Sequence, residues 1–98
     1  MPEESFVQIV VSQLKASATR EQFIDLHRQT ADWMAAHPDC VSYEVFEGTN
    51  GAIADRIAWS SKAGAMRGNE DYAKTSIAVG MQSIVESYHN FFGRAVHF

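Results

Sequence analysis

The chain has 98 residues, of which 46% are hydrophobic and 11% aromatic, and its formal net charge is −4. This length fits one domain over residues 1–98, and the apolar content is too high for a disordered chain. Because only about 60 to 65% of the unfolded surface can be buried at this size, contact with a partner subunit would add stability.

The charge pattern disfavours nucleic-acid and membrane binding. Basic residues are spread singly from Lys15 to Arg94, whereas phosphate backbones and anionic lipids need several cations on one surface. No apolar run approaches the roughly 20 residues that cross a bilayer, and the acidic start over residues 1–5 does not resemble a signal peptide. Cys40 is the only cysteine, which excludes an internal disulfide and a Cys-rich zinc site. We expect a soluble cytoplasmic protein.

The first predicted elements are a strand over residues 6–14 and a helix from about residue 20 to His37. Both faces of the strand carry apolar groups, with Val7, Ile9 and Val11 on one and Phe6, Val10 and Leu14 on the other. Thr19 and Gln22 fit a capping box at the start of the helix, and Pro38 ends it. The apolar stripe of this helix comprises Phe23, Leu26, His27, Thr30, Trp33 and Met34.

Residues 40–47 and 53–59 predict a hairpin for which two registers compete. A four-residue loop over 48–51 would place Glu44 opposite Asp55, and such a like-charge pair costs energy. A three-residue loop, with Gly51 at positive φ, places Glu44 opposite Arg56 instead. We expect this second register, which aligns Val41, Tyr43 and Val45 with Trp59, Ile57 and Asp55 on one face.

A second helical region should begin after Trp59, where Ser60 and Ser61 can cap it. Gly68 and Asn69 predict a break, followed by a better helix from about residue 70 to 88, and residues 91–98 predict a final strand. The order is therefore β-α-β-β-α-β. Right-handed crossovers then give an α+β, ferredoxin-like fold, with a four-stranded antiparallel sheet and the helices on one face.

The sheet face without helices is predicted to be apolar. A monomer rarely exposes a contiguous patch of that extent, so we expect a homodimer that packs open sheet face against open sheet face. The residues expected on this face are Phe6, Val10, Leu14, Phe46, Ala54 and Ala58, with Glu44 and Arg56 as a charge pair.

Two segments carry a resemblance to a known family. The stretch His37-Pro38-Asp39-Cys40-Val41-Ser42-Tyr43-Glu44-Val45, the closing Trp59-Ser60-Ser61 and the order of elements resemble the antibiotic biosynthesis monooxygenase (ABM) type of dimeric α+β barrel. The similarity covers residues 5–98. It implies that a flat aromatic compound binds between sheet and helices, and that some relatives add oxygen without metal or flavin. In those enzymes the substrate's own carbanion reacts with dioxygen, so no cofactor is expected.

The resemblance also implies roles for particular side chains. His27, Asn69 and Tyr72 are the candidates to orient or deprotonate a phenolic hydroxyl. The candidates to line the substrate pocket are Trp59, Tyr43, Trp33 and His97. The alternatives are structural, because Trp59 can be a core residue whose N–H finds a backbone partner, and His27 can be a hydrogen-bonded core residue.

The chain departs from the family's pattern on the second helix. Many members carry a His nine or ten residues after the Trp, whereas Gly68 and Asn69 stand there in this chain. Asn69 can hydrogen-bond but cannot act as a base at neutral pH. Haem degradation is disfavoured because no His lies between His37 and His89.

The four histidines predict no metal site. His27 and His37 are ten positions apart, and none of the usual metal-binding His spacings occurs. His37 and His89 are expected to face solvent. The sequence thus favours cofactor-independent oxidation of a small aromatic or quinol-like compound. A non-catalytic, small-ligand-binding or stress-associated dimer is the alternative.

Overall fold

A computed structural model describes residues 6–98, and the acidic start lies outside them. Its elements are β1 (Phe6–Leu14), α1 (Arg20–Ala36), β2 (Cys40–Glu47), β3 (Ile53–Trp59), α2 (Lys62–Ala73), α3 (Ser76–Ile84) and β4 (Val85–Arg94). The strands form one antiparallel sheet in the order β2-β3-β1-β4, which confirms the predicted ferredoxin-like α+β fold. Within residues 6–98, no helix has the length and apolar character needed to span a bilayer.

The start of α1 is capped as its sequence predicts. The Thr19 hydroxyl accepts from the Gln22 backbone N–H, and the Gln22 side chain accepts from the Thr19 N–H in return. These two bonds satisfy N–H groups that have no partner within the helix. They fix where α1 begins and therefore which of its residues face the sheet.

The β2–β3 hairpin has the predicted register. Glu44 pairs with Arg56, and Gly51 adopts φ 85°, which a glycine tolerates without a Cβ clash. A bulge between Cys40 and Ser42 changes one expected pair, because Cys40 rather than Val41 lies opposite Trp59. Val41 is exposed as a result.

The second helical region was predicted with the wrong break. It divides at Lys74 and Thr75, and Gly68 and Asn69 lie inside α2. Thr75 begins α3, because its hydroxyl accepts from the Ala78 N–H and caps the new helix. Gly68 has a packing reason instead, since a Cβ there would overlap the Trp59 ring.

The predicted end of the last helix was also wrong. α3 ends at Ile84, and β4 begins at Val85 rather than at Phe91. Pairing with β1 along most of its length overrides the helical periodicity, because each pair adds ladder hydrogen bonds and side-chain contacts.

The faces of β1 were assigned the wrong way round. Gln8, Val10 and Ser12 face the helices, and Phe6 packs against the core beside Trp59. The open face therefore carries Val7, Ile9 and Val11 from β1, whereas Leu14 lies beyond a register shift. The remaining members of this face are Phe46, Ala54, Ala58 and Phe91, with Glu44 paired to Arg56.

Candidate functional site

A cavity of about 350 Å³ lies between the helices and the inner face of the sheet. Its floor comes from alternate residues of neighbouring strands, because period-two side chains share a face. Its roof comes from α1, α2 and α3, and most of its wall is apolar. Two groups of polar side chains interrupt that wall, one around Asp55 and one around Gln8.

The first group is the carboxylate cluster, which consists of Asp55, His27 and Tyr43. The Tyr43 hydroxyl donates to Asp55 Oδ2 at 2.7 Å, and His27 Nε2 lies 3.5 Å from Asp55 Oδ1. The side chains of His27 and Asp55 are only 10% and 13% exposed. A carboxylate in such a place needs hydrogen-bonding and charged partners, and both are present.

Both ring nitrogens of His27 face acceptors. Nδ1 lies 2.9 Å from the Phe23 carbonyl oxygen, which can only accept, so Nδ1 carries a proton. Nε2 faces the Asp55 carboxylate, which favours a second proton. The geometry therefore favours an imidazolium beside a carboxylate at the cavity wall.

The pKa values of this cluster agree with its geometry. Burial acts to lower the pKa of His27, but the hydrogen bond and charge of Asp55, with the Phe23 carbonyl, outweigh it and raise the pKa. Burial, reinforced by Asp55, raises the pKa of Tyr43 far above its ordinary value. Tyr43 consequently stays a neutral donor.

The second group is the amide cluster, which consists of Gln8, Asn69, Trp59 and Asn90. The Trp59 indole N–H donates to Gln8 Oε1 at 3.0 Å, and Asn69 Nδ2 donates to the same oxygen at 2.8 Å. Gln8 Nε2 donates to Asn69 Oδ1 at 3.0 Å and to Asn90 Oδ1 at 2.9 Å. Asn69 Nδ2 also donates to the Ala65 carbonyl. Gln8 thus uses both donors and both acceptor positions.

One donor fixes the orientation of all three amides. An indole N–H can only donate, so the Gln8 atom that faces Trp59 must be the oxygen. The Gln8 nitrogen must then face oxygens of Asn69 and Asn90. The Ala65 carbonyl gives the same orientation for Asn69 independently, because it needs a donor opposite it. The NH₂ group of Asn90 is consequently left at the cavity wall.

Trp59 and Tyr72 form the apolar part of the wall beside these clusters. Trp59 is 0% exposed and packs with Met34, Ile57 and Ala65. The Tyr72 hydroxyl lies 2.9 Å from Thr30 Oγ1, and burial raises the pKa of Tyr72. Tyr72 is therefore a neutral, hydrogen-bonded side chain at neutral pH.

Five of the seven residues selected from the sequence line this cavity, namely His27, Asn69, Tyr72, Trp59 and Tyr43. Trp33 lies outside the cavity lining and contacts Tyr72 edge-on at a ring distance of 5.3 Å. His97 follows the end of β4 and does not line the cavity either.

Two expectations about neighbouring side chains were wrong. The His37 side chain is only 8% exposed rather than facing solvent, because it packs between Trp33 and Trp59 and bonds to Asp71. The Trp59 N–H finds the side chain of Gln8, where a backbone partner was expected. His89 is exposed, as predicted.

Four residues that line the cavity were not predicted as site residues, namely Gln8, Asp55, Thr30 and Asn90. For Asp55 a signal existed, since the preferred hairpin register placed it on the same face as Ile57 and Trp59. Gln8 carried no such signal, because a polar residue within a strand is usually taken to face solvent. Within residues 6–98, no three His, Cys, Asp or Glu side chains converge as a metal ligand set.

Several solved structures share this architecture. SnoaB, a cofactor-independent oxygenase from Streptomyces nogalater, superposes with a TM-score of 0.84 at 10% identity, covering 98% of this chain and 97% of SnoaB. A putative antibiotic biosynthesis monooxygenase from Nitrosomonas europaea gives 0.81 at 14% identity, covering 95% and 91%. A dimeric ferredoxin-like protein of unknown function from Thermobifida fusca gives 0.79 at 10% identity, covering 94% and 92%.

The sequence comparisons found no match. The chain matches no protein-family model, and no curated protein is significantly similar to it. At 10 to 14% identity, the three superpositions concern backbone architecture alone. The chain has the ferredoxin-like fold of the antibiotic biosynthesis monooxygenase structures.

Proposed function

We propose that this protein oxidises a small phenolic or hydroquinone compound with dioxygen and without a cofactor. The observation that carries the proposal is the carboxylate cluster, a partly buried Asp55 acceptor beside the His27 imidazolium at the wall of a largely apolar cavity. SnoaB, which shares the fold, is a cofactor-independent oxygenase. A phenol presents the two features that this wall fits, a flat apolar ring and a hydroxyl donor.

The cavity volume limits the size of the substrate. Ligand pockets commonly measure about 300 to 1,000 Å³, so about 350 Å³ lies at the small end of that range. The space corresponds to roughly a dozen waters at about 30 Å³ each. Compounds with one ring or two fused rings are therefore the expected substrates.

The proposed chemistry begins at the substrate hydroxyl. The hydroxyl donates to Asp55, its proton passes to that carboxylate, and the His27 imidazolium offsets the charge of the phenolate that remains. The electron pair of the phenolate delocalises onto an unsubstituted ring carbon ortho or para to the oxygen, which forms a C–O bond to dioxygen. Asp55 returns its proton to the peroxide, and loss of water leaves a carbonyl at that carbon, so one phenol and one O₂ give one quinone and one H₂O. A hydroquinone and one O₂ instead give one quinone and one H₂O₂.

A second candidate function is non-catalytic binding of the same class of compound. It is favoured by Asn69, which stands where many ABM members carry a His. Both N–H groups of Asn69 are committed to Gln8 and Ala65, and an amide cannot accept a proton at neutral pH. In this alternative the cavity holds its ligand without turning it over.

We also propose that the functional unit is a homodimer formed through the open sheet face. This face carries Val7, Ile9 and Val11 together with Phe46 and Phe91, which are 51% and 60% exposed. An apolar surface of this kind is stabilised by burial against a matching surface. The Thermobifida fusca protein with the same fold is described as dimeric. Sedimentation velocity at micromolar concentration should give a dimer that Ile9→Glu dissociates.

The oxidation proposal is tested by oxygen consumption with a panel of one-ring and two-ring phenols and hydroquinones, in the presence of a metal chelator. We expect turnover above the rate with heat-denatured protein, because quinols also oxidise spontaneously. Asp55→Asn should lower it at least tenfold, whereas Asp25→Asn on the exposed side of α1 should not change it. If no phenol on the panel accelerates oxygen consumption while binding is detected, the second candidate replaces the first.

A further inference from the structure

Three residues in register form a row across the floor of the cavity. Val10 of β1 pairs with Asp55 of β3 on one side and with Asn90 of β4 on the other, and all three line the cavity. Neighbouring strands lie about 4.7 to 4.9 Å apart, so the backbones at Asp55 and Asn90 are roughly 10 Å apart. Val10 is an apolar surface between two polar ends.

The two ends of this row have opposite hydrogen-bonding character. Asp55 is an acceptor with about four lone-pair positions, and Tyr43 and His27 occupy two of them. Asn90 is a donor at this wall, because its oxygen already accepts from Gln8 and its NH₂ has no acceptor within residues 6–98. The separation suits a flat ring lying over Val10 with one polar group at each edge.

We propose that Asp55 and Asn90 fix the orientation of the ligand, with Asp55 accepting from a hydroxyl at one edge and Asn90 donating to a carbonyl oxygen at the other. This inference shares one assumption with the proposed function, which is that the ligand binds in the cavity. It does not require that the ligand is oxidised. It names the ligand class as a hydroxyaryl carbonyl compound of one ring or two fused rings. It also makes Asn90 a specificity-determining residue that the oxidation chemistry does not itself require.

The amide cluster makes a selective test possible. Asn90→Asp keeps the oxygen that accepts from Gln8 and replaces only the NH₂ group with an acceptor. Two probes measured by calorimetry in the absence of oxygen report the change, namely 4-hydroxyacetophenone with a carbonyl at the Asn90 end and hydroquinone with a second hydroxyl there. An aspartate at this position repels the carbonyl oxygen and accepts from the hydroxyl. The ratio of the two affinities should therefore shift by at least tenfold toward hydroquinone.

A matched control separates orientation from added charge. Gln82→Glu makes the same amide-to-carboxylate change elsewhere on the cavity wall, in α3, and should leave the affinity ratio within about twofold of the unmodified chain. Asp55→Asn provides a second, independent variant. The unmodified chain should bind 4-methoxyacetophenone roughly tenfold more weakly than 4-hydroxyacetophenone, and this gap should close in Asp55→Asn because an amide can donate to the ether oxygen.

The outcomes separate this inference from the proposed function. The inference is overturned if Asn90→Asp folds and its affinity ratio stays unchanged. It is also overturned if Asp55→Asn still binds 4-methoxyacetophenone roughly tenfold more weakly than 4-hydroxyacetophenone. Both conclusions hold whether or not oxygen consumption is detected. If neither probe binds the unmodified chain at millimolar concentration, the inference is overturned as well. If the affinities shift as expected but no phenol is oxidised, the orientation stands and the oxidation proposal fails.

Discussion

The carboxylate cluster and the amide cluster lie on one cavity wall but differ in how completely their hydrogen bonds are used. Gln8 employs every donor and acceptor it has, and Asn69 employs both of its N–H groups. Asp55 retains acceptor positions and carries a charge. A saturated group has nothing left for a ligand, whereas an unsaturated one can bind it.

This difference assigns separate roles to the two clusters. The amide cluster ties β1, β3, α2 and β4 together through the Gln8 side chain, so it sets the shape of the cavity. The carboxylate cluster supplies a proton acceptor and a positive charge at a place with little water. We therefore expect damage at Gln8 or Asn69 to appear first in stability. Damage to the carboxylate cluster or to the Asn90 NH₂ group should appear first in ligand binding.

The largest effect is expected from Gln8→Leu. The change removes the acceptor of the Trp59 N–H and both bonds to Asn69, and each buried group left without a partner costs about 1 to 3 kcal/mol. We expect a loss of about 4 kcal/mol in the free energy of unfolding, measured by urea denaturation. Gln29→Leu on the exposed side of α1 is the control and should change it by less than about 0.5 kcal/mol. If Gln8→Leu and Gln29→Leu lowered the free energy of unfolding equally, the hydrogen bonds of the amide cluster would not be what stabilises this part of the fold.

Gly68→Ala should have the next largest effect. A Cβ there would overlap Cζ3 and Cη2 of Trp59, which is fully buried and cannot move aside. The overlap outweighs the better helix propensity of alanine, and we expect a loss of about 3 kcal/mol in the free energy of unfolding. Gly80→Ala is the matched control, because the Cβ there meets the end of the flexible Leu26 side chain. A thermal unfolding midpoint equally low in both variants would contradict this account.

Local signals in the sequence predicted the start of α1 and the hairpin correctly. Thr19 with Gln22 and the Gly51 turn depend on a few adjacent residues, so their geometry follows from sequence alone. Gly68 was misread because a glycine inside a helix resembles a break. Its real reason, the Trp59 ring nine positions earlier, exists only in the tertiary structure.

The polar part of the site was harder to predict than its aromatic part. Tyr43, Trp59 and Tyr72 face the cavity for the same reason that apolar residues face a core. Polar residues in strands usually face water, so Gln8 was expected on the open side of β1. It is instead 2% exposed and faces the helices, and the two predicted faces of β1 are therefore exchanged. Functional sites often contain buried polar residues that do not follow this pattern. The strand whose faces were predicted wrongly is therefore the one that lines the cavity.

Asp55→Asn should change the titration of His27 more than the stability of the fold. Without the carboxylate, the hydrogen bond and charge that oppose burial are lost, so the pKa of His27 should fall below its value in the unmodified chain. The raised pKa in the unmodified chain means that folding favours the protonated ring. This stabilisation is complete below the pKa of the unfolded chain, about 6.5, and is lost as pH rises through the higher folded value.

Two measurements check the effect of Asp55→Asn. NMR titration of the imidazole C–H resonances reports the pKa directly, with Asp25→Asn as the control for loss of a carboxylate from the protein. The stability difference between the unmodified chain and Asp55→Asn should be larger at pH 5 than at pH 9, because at pH 5 the variant buries a charged ring without its counterion. An unchanged pKa would mean that Asp55 does not govern the protonation of His27.

Tyr43→Phe should have the smallest effect of the four. It removes the 2.7 Å hydrogen bond to Asp55 but leaves His27 beside the carboxylate, so the free energy of unfolding should fall by only about 1 kcal/mol. Asp55 would then have one more acceptor position for a ligand, and affinity for 4-hydroxyacetophenone should be kept or modestly raised. Tyr88→Phe, an exposed tyrosine on the same cavity, is the control and should leave stability unchanged. If Tyr43→Phe instead destabilises the protein as much as Gln8→Leu does, the carboxylate cluster is as structural as the amide cluster, and the contrast between them is lost.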